Sequence, residues 1–151
     1  MPNYSPQDLL NMSAADLDKL FGSAPPGPIP DGEAQGTALI VPGTSLAPEL
    51  SAVVSHFAWQ GKVFDSKNQT LVNHITVFRI KAILAKVYPG TSLIDQKPCI
   101  VLDYSQTSTV AKHVRDEIRN IAPNTYLGPV YWDDKKLFYF SLHFGEARTD
   151  D

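Results

Sequence analysis

The chain of 151 residues is poor in cysteine, in charged residues and in long apolar runs. Its single cysteine, Cys99, excludes a disulfide within the chain and indicates a reducing compartment. No stretch approaches the length of about 18 uncharged apolar residues that a membrane-spanning helix needs, so we expect no membrane span. The first residues lack the basic and apolar parts of a signal peptide, which predicts a cytoplasmic protein.

Charge is also scarce, since only 19% of the residues are charged and the net charge is -3. Without an excess of basic residues there is no electrostatic reason to expect a nucleic-acid partner. The apolar share of 43% is typical of a globular chain, and the length suits one domain. We expect a single domain, 1–151, with an N-terminal helix and Pro/Gly-rich strap at 1–36, a core at 37–144 and a loose tail at 145–151.

The common motifs of catalysis are missing as well. There is no phosphate-binding glycine loop, no dinucleotide fingerprint and no G-x-S-x-G nucleophile turn. One cysteine and four scattered histidines do not give the spacing of a zinc site. The sequence therefore predicts neither a metal nor a cofactor.

What the chain does contain is a series of short segments in which apolar residues alternate with polar ones. Such segments, closed by turn residues, predict antiparallel strands. The last two are predicted to form a hairpin that turns at Asp133 and Asp134. The predicted strands are 37–41, 59–65, 70–75, 77–88, 91–94, 99–104, 126–132 and 136–144.

Apolar residues at helical spacing predict three helices, at 5–21, 46–57 and 107–121. In the first of them, Ser13 is expected to cap a turn that carries Asp16 three residues later. The prolines and glycines between Ala24 and Gly36 exclude a helix or a central strand and predict a linker or a surface strap.

These elements predict an α+β fold made mainly of antiparallel β-structure. We expect a curved sheet or a small lipocalin-like barrel of about eight strands with two to three helices, because an eight-stranded barrel can hold one small ligand. A sheet of four to five strands backed by helices is the alternative.

The most suggestive polar residues are Asp103 and Tyr104, where a predicted buried strand meets the start of a predicted helix. An acid, a phenol and the free N–H groups of a helix start could bind a polar ligand head. The same residues could instead satisfy the helix end, since Ser105 or Thr107 would cap it.

The charged run Arg115–Arg119 has two interpretations. On an amphipathic helix it would be a solvated face. Alternatively, Arg115 or Arg119 reaches Asp103 and holds its carboxylate ionised.

Aromatic residues on or beside the predicted strands can fill a core or line a small-molecule cavity. A lysine inside an apolar strand would mark a ligand site if it faced inward, although an outward edge lysine is the common case. The residues that we select as ligand-binding candidates are Trp59, Lys62, Tyr88, Tyr126 and Trp132.

Four segments of the chain resemble a family of small uncharacterised bacterial proteins. They are W-x-G-K-x-F at 59–64, I-V-L-D-Y-S-x-T-S at 100–108, R-D-E-I-R at 115–119 and Y-L-G at 126–128. The likeness extends over about residues 15–144. It implies one continuous unit and no established activity, so it assigns no catalytic residue.

Three functional hypotheses follow. The first is binding of a small apolar or amphipathic molecule in a barrel-like cavity. The second is an isomerase, cyclase or hydrolase acting on a lipid-like or polyketide-like substrate there, with Asp103 as acid or base and Tyr104 or Arg115 stabilising negative charge. The third is a protein-interaction module that uses the strap or the helix at 46–57.

Overall fold

The computed structural model describes residues 3–39, 61–65, 69–73, 83–103 and 114–145. Within these ranges the chain forms two helices and eight strands, and neither helix has the length and apolar content needed to cross a membrane. The elements are α1 (Pro6–Leu10), α2 (Ala14–Ser23), β1 (Gly32–Leu39), β2 (Gly61–Asp65), β3 (Thr70–Asn73), β4 (Ile83–Thr91), β5 (Pro98–Asp103), β6 (Val114–Ala122), β7 (Thr125–Trp132) and β8 (Lys135–Phe144).

Each strand pairs antiparallel with the next along the chain, from β1 through β8. The second edge of β1 pairs with β8, with Ala38 opposite Phe140, so the ladder of hydrogen bonds closes into a barrel. The predicted mainly antiparallel β-structure with accompanying helices is therefore confirmed.

The two faces of this closed sheet bury different sets of side chains. The inner face gathers residues of β1 and of β4 to β8, and the outer face packs against α1 and α2. The inner cluster contains Ala34, Val87, Ile100, Leu102, Val114, Ile118, Tyr126, Val130, Phe138, Phe140 and Leu142. The outer cluster contains Leu9, Leu17, Phe21, Leu39, Ile121, Leu127 and Tyr139.

The N-terminal segment forms two capped helices in place of the single predicted one. Ser5 and Asp8 form a reciprocal capping box at α1, with Pro6 in the first turn. The hydroxyl of Ser13 accepts a 3.1 Å hydrogen bond from the Asp16 backbone N–H, which confirms the predicted cap of α2. The break between the helices lets both bury one apolar face against the outer side of the sheet.

The segment 24–31 is an ordered strap that covers one end of the barrel. The backbone N–H of Asn120 donates to the Pro25 carbonyl at 2.9 Å, and the Tyr126 hydroxyl donates to the Pro28 carbonyl at 2.7 Å. Ile29 packs against the inner cluster. The strap interpretation is thus supported, and the strap places an apolar side chain at that end of the interior.

The helix predicted over 107–121 is wrong where the structure describes it, because Val114–Ala122 is strand β6. Seven of its nine residues are buried, and the other two, Arg115 and Asn120, are half-buried. A strand that is covered on both faces loses the alternation that marks strands in a sequence. The helical spacing of Val114, Ile118 and Ile121 was therefore coincidental.

Several strand boundaries also differ from the prediction. Residues 32–36, assigned to the strap, belong to β1, which is paired on both edges. Pro89 and Gly90, expected to end a strand, lie inside β4, and the predicted strand 91–94 is mostly a turn. The predicted helix 46–57 lies outside the described residues.

The final hairpin is confirmed. β7 and β8 pair along their whole lengths, and Trp132 lies opposite Lys135 across a two-residue turn. Asp133 and Asp134 both have positive φ, 48° and 69°, as a type I′ turn requires.

Gly128 marks a close approach between β6 and β7. A Cβ atom at this position would overlap the backbone carbonyl of Glu117 and would lie 3.0 Å from the Cα atom of Ile118. Glycine in a barrel strand permits such contact between neighbouring backbones. The Y-L-G segment therefore ends on a residue that the packing of the two strands demands.

We predict that Gly128→Ala lowers the free energy of unfolding by about 3 kcal/mol or more, because backbone atoms cannot move aside cheaply. Urea titration measures this loss. Gly22→Ala is the matched control, since a Cβ there meets nothing within 4 Å. Equal stability of the two variants would show that β6 and β7 do not approach as described.

Candidate functional site

Two of the three predicted catalytic residues, Asp103 and Arg115, lie on the outer face of the barrel. Asp103 follows Leu102, which faces inward, and Tyr88 follows the inward-facing Val87. The Tyr88 hydroxyl donates a 2.9 Å hydrogen bond to Oδ2 of Asp103. Partial burial, together with this contact to the Asp103 carboxylate, raises the pKa of Tyr88.

Arg115 lies opposite Asp103 in the pairing of β5 with β6. Its Nη2 donates to the Thr91 carbonyl at 2.9 Å and to Oε2 of Glu117 at 3.0 Å. The structure therefore brings Tyr88, Asp103 and Arg115 to one outer patch, which does not open into the interior. The hypothesis that they line a central cavity does not fit this placement.

The other candidates divide into three groups. Tyr126 and Trp132 face the interior, one as a member of the inner cluster and the other packed against it. Lys62 lies in β2 opposite Ala34 of β1. Trp59 and Tyr104 lie outside the described residues.

Glu117, which the sequence interpretation left as one of a charged run, is the centre of the outer polar network. Its side chain is fully buried. It accepts hydrogen bonds from the Ser92 hydroxyl at 2.7 Å, the Leu93 backbone N–H at 2.9 Å and the Tyr131 hydroxyl at 3.2 Å. With Arg115 as its cationic partner, the carboxylate holds the β4–β5 turn against the outside of β6.

Arg119 binds the other end of the β4–β5 turn, at Asp95 and Lys97. Both terminal nitrogens bind the Asp95 carboxylate, at 2.7 and 2.8 Å, in a bidentate pair. Its remaining N–H groups reach the carbonyls of Phe21, Lys97 and Pro98. All five donors of this buried guanidinium are thus used in joining α2, the turn and β5.

The hydrogen bonds and ion pairs of Glu117 and Arg119 join neighbouring elements, which explains why these charged residues lie on the outer face. Burial raises the pKa of Tyr131, and the nearby Glu117 carboxylate raises it further. Cys99 lies on the same outer face and is 1% exposed, and burial raises its pKa to about 12. A thiol with that pKa is not a nucleophile at neutral pH.

Among the described residues, the inner face carries an acid that the sequence interpretation did not select. Asp116 lies opposite Leu102 of β5 and Val130 of β7, and both of these belong to the inner cluster. Opposite residues share a face of the sheet, so Asp116 faces the interior. Its relative exposure is 0%.

The described neighbours of Asp116 in the strand pairing of this face are aliphatic and aromatic. On the inward face of β6, Val114 lies two residues before Asp116 and Ile118 lies two residues after it. Phe138 of β8 lies opposite Val130 of β7. A carboxylate among such neighbours interacts with charges and hydrogen-bond donors far more strongly than one in water. Asp116 is therefore an acidic side chain within a largely apolar part of the described interior.

A sequence signal for this acid existed. Pro123 and Asn124 follow the predicted helix 107–121, yet Ala122 and Thr125 pair across them and Asn124 has φ 57°. A hairpin turn there would have made 114–122 a strand. Its alternation then puts Asp116 on the same face as Val114 and Ile118.

A metal has no evident place in the described part of the chain. Among those residues, no three histidine, cysteine, aspartate or glutamate side chains come together as a set of ligands.

Comparison with known proteins shows the fold and no family. No family model matches the chain, and no curated protein matches it either. A crystal structure of a protein from Thermomonospora curvata is similar, with a TM-score of 0.62 and 14% identity over 89% of both chains. At that identity the likeness concerns the fold alone.

We predict that Glu117→Ala lowers the free energy of unfolding by about 3–5 kcal/mol, because it strands buried donors and the Arg115 charge. Chemical denaturation measures the change. The control is Lys136→Ala, which removes a half-exposed ion pair with Asp18 worth about 0–1 kcal/mol. A loss of similar size in both variants would contradict the central role of Glu117.

A second prediction concerns acid stability. Hydrogen bonds from Arg119 lower the pKa of Asp95 from 3.8 to about 2. As the pH falls from about 5 to 2, protons bind the unfolded chain first, so the Arg119 contact loses roughly 2 kcal/mol of stabilisation. Unfolding measured across this range should show a smaller loss in Asp95→Asn than in the wild type. Parallel curves would be inconsistent with the bidentate pair.

Proposed function

We propose that the interior of the closed sheet binds a small, mostly apolar or amphipathic molecule, as in a lipocalin-like barrel. An eight-stranded barrel has an interior that is either filled by side chains or just wide enough for one small ligand. The inward face of β1 carries the small residues Ala34, Gly36 and Ala38 at alternating positions. Aromatic side chains on β7 and β8 form the wall beside them.

The observation that carries the proposal is the burial of Asp116 within this apolar face. Moving a carboxylate out of water costs several kcal/mol, so a barrel that only needed a core would be better served by an aliphatic residue there. Ligand sites, in contrast, are mostly apolar cavities with a few placed polar groups. Asp116 fits that description, and we assign it the role of polar anchor.

The strap covers the end of the interior near Tyr126, through its hydrogen bond to Pro28 and the packing of Ile29. Trp132 lies six residues farther along β7, roughly 20 Å away, toward the opposite end. Asp116 pairs with Val130, nearer to that second end.

Catalysis in the same interior is the second candidate, and the buried acid favours it over a reaction at the outer patch. A carboxyl group in apolar surroundings is a suitable general acid or base for an isomerase, cyclase or hydrolase. In this version Asp116 takes the role that the sequence suggested for Asp103. Turnover by the protein and not by Asp116→Asn would separate catalysis from simple binding.

Native mass spectrometry of protein purified from cells tests binding directly. We expect a fraction of the wild type to carry a small molecule that is released on denaturation, and Asp116→Asn to carry at least tenfold less of it, about 1.4 kcal/mol of lost affinity. Asp16→Asn, which makes the same change of charge at an exposed position of α2, should retain the wild-type amount.

Circular dichroism of both variants establishes that each is folded. Wild-type protein with no retained mass, combined with failure to take up any apolar probe, would reject a ligand-binding interior. Equal retention by the wild type and Asp116→Asn would support ligand binding by the interior but would contradict the role of Asp116 as its polar anchor.

A further inference from the structure

We propose that the β4–β5 turn, residues 92–97, contacts an anionic lipid membrane, with Leu93 and Ile94 entering the lipid and Lys97 attracting its head groups. The turn directs Ser92 and several backbone N–H groups toward partners within the protein, and two large aliphatic side chains toward solvent. This contact lies on the outside of the barrel, so it does not depend on a molecule bound in the interior.

The exposed aliphatic pair is unusual in the described part of the chain. Leu93 and Ile94 are 40% and 38% exposed, and Leu10 on α1 is the one other exposed large apolar side chain there. Ser92, directly before them, is fully buried, and its hydroxyl donates to the buried Glu117 carboxylate at 2.7 Å. Burying aliphatic side chains stabilises a fold, whereas burying a carboxylate is costly. Folding alone would favour the opposite arrangement, so the pair has the character of a binding surface.

Side chains of β6 hold this pair in a fixed position. Arg119 binds the Asp95 carboxylate through two nitrogens, at 2.7 and 2.8 Å. Arg115 donates to the Thr91 carbonyl at 2.9 Å, where the turn begins. Because these contacts order the turn in the free protein, binding does not have to supply the cost of ordering it.

The backbone of the turn suits contact with lipid. Five of its six backbone N–H groups donate to acceptors within the protein, at distances between 2.9 and 3.1 Å. A backbone N–H without an acceptor is costly in lipid, where no water can take the place of the acceptor, whereas an exposed turn in water has no such requirement. The five are those of Ser92, Leu93, Ile94, Gln96 and Lys97.

The charges at the turn favour an anionic surface. The two acids in or against the turn, Asp95 and Glu117, are each paired with an arginine. Lys97 is exposed and adds a cation beside the aliphatic pair. Each basic residue near anionic lipid raises affinity about fivefold. At physiological ionic strength, repulsion between the lipid and the more distant acids of a chain with net charge -3 is screened beyond about 8 Å.

The size of the exposed pair favours lipid over a protein partner. A stable protein interface buries about 800 Å² on each partner, far more than two side chains of which less than half is exposed can supply. Binding to a lipid surface instead depends on the apolar groups that enter it and on the attraction of nearby cations. Leu93, Ile94 and Lys97 provide both.

Sedimentation of the full chain with lipid vesicles measures this contact. The two preparations are phosphatidylcholine alone and phosphatidylcholine with about one third phosphatidylglycerol, which is anionic. We expect the wild type to bind the anionic vesicles at least fivefold more tightly than the neutral ones. The double variant Leu93→Gln/Ile94→Gln should bind the anionic vesicles at least tenfold less tightly than the wild type. Lys97→Gln should lose about fivefold on anionic vesicles and nothing on neutral ones.

Two variants serve as matched controls, and both should bind as the wild type does. Leu10→Gln changes an apolar side chain that is 38% exposed on α1. Lys135→Gln removes an exposed cation where β8 begins, at the opposite end of the barrel. Circular dichroism establishes that each variant is folded.

Failure of the wild type to sediment with either vesicle would overturn the proposal and leave the aliphatic pair as a contact for a protein. Equal binding of the wild type to both vesicles would reject an anionic lipid. A loss in Leu10→Gln as large as that in the double variant would contradict the assigned surface. The wild-type comparison tests the lipid preference even if the double variant does not fold.

Discussion

The structure depends on the requirement that β6 buries both of its faces. Its charged side chains cannot all be exposed to solvent, so those that are buried must be accommodated within the protein. Glu117 and Arg119 do so on the outer side, where the β4–β5 turn and α2 supply hydroxyl, carbonyl and carboxylate partners. These contacts explain why a short turn and a short helix are held firmly against the barrel. Asp116, between the same neighbours, faces the other way.

The two faces of β6 therefore have different surroundings. The polar groups of the outer face are engaged in ion pairs and hydrogen bonds that join elements, including the pair of Tyr88 with Asp103. The inner face meets a core cluster whose described members are apolar and aromatic. This difference is why our proposal places ligand binding on the inner face.

The sequence patterns correctly predicted those parts of the fold that depend on interactions between residues close together in the chain. The Ser13 cap, the strand after Lys97 and the hairpin at Asp133 and Asp134 all depend on neighbouring residues, and all are present. The prediction for 114–121 was wrong because burial of both faces is a property of the whole barrel. Tyr126 and Trp132 were selected because they are aromatic residues on a predicted strand, and both face the interior. Asp116 was missed because its segment was interpreted as a helix.

The central claim is that a molecule other than the protein's own side chains occupies the space beside Asp116. A crystal structure of the chain, purified from cells without added ligand, tests it most directly. The account predicts electron density for a bound molecule inside the barrel, with a donor atom within hydrogen-bonding distance of the Asp116 carboxylate. Side chains that fill this space completely, with no molecule in contact with Asp116, would contradict it.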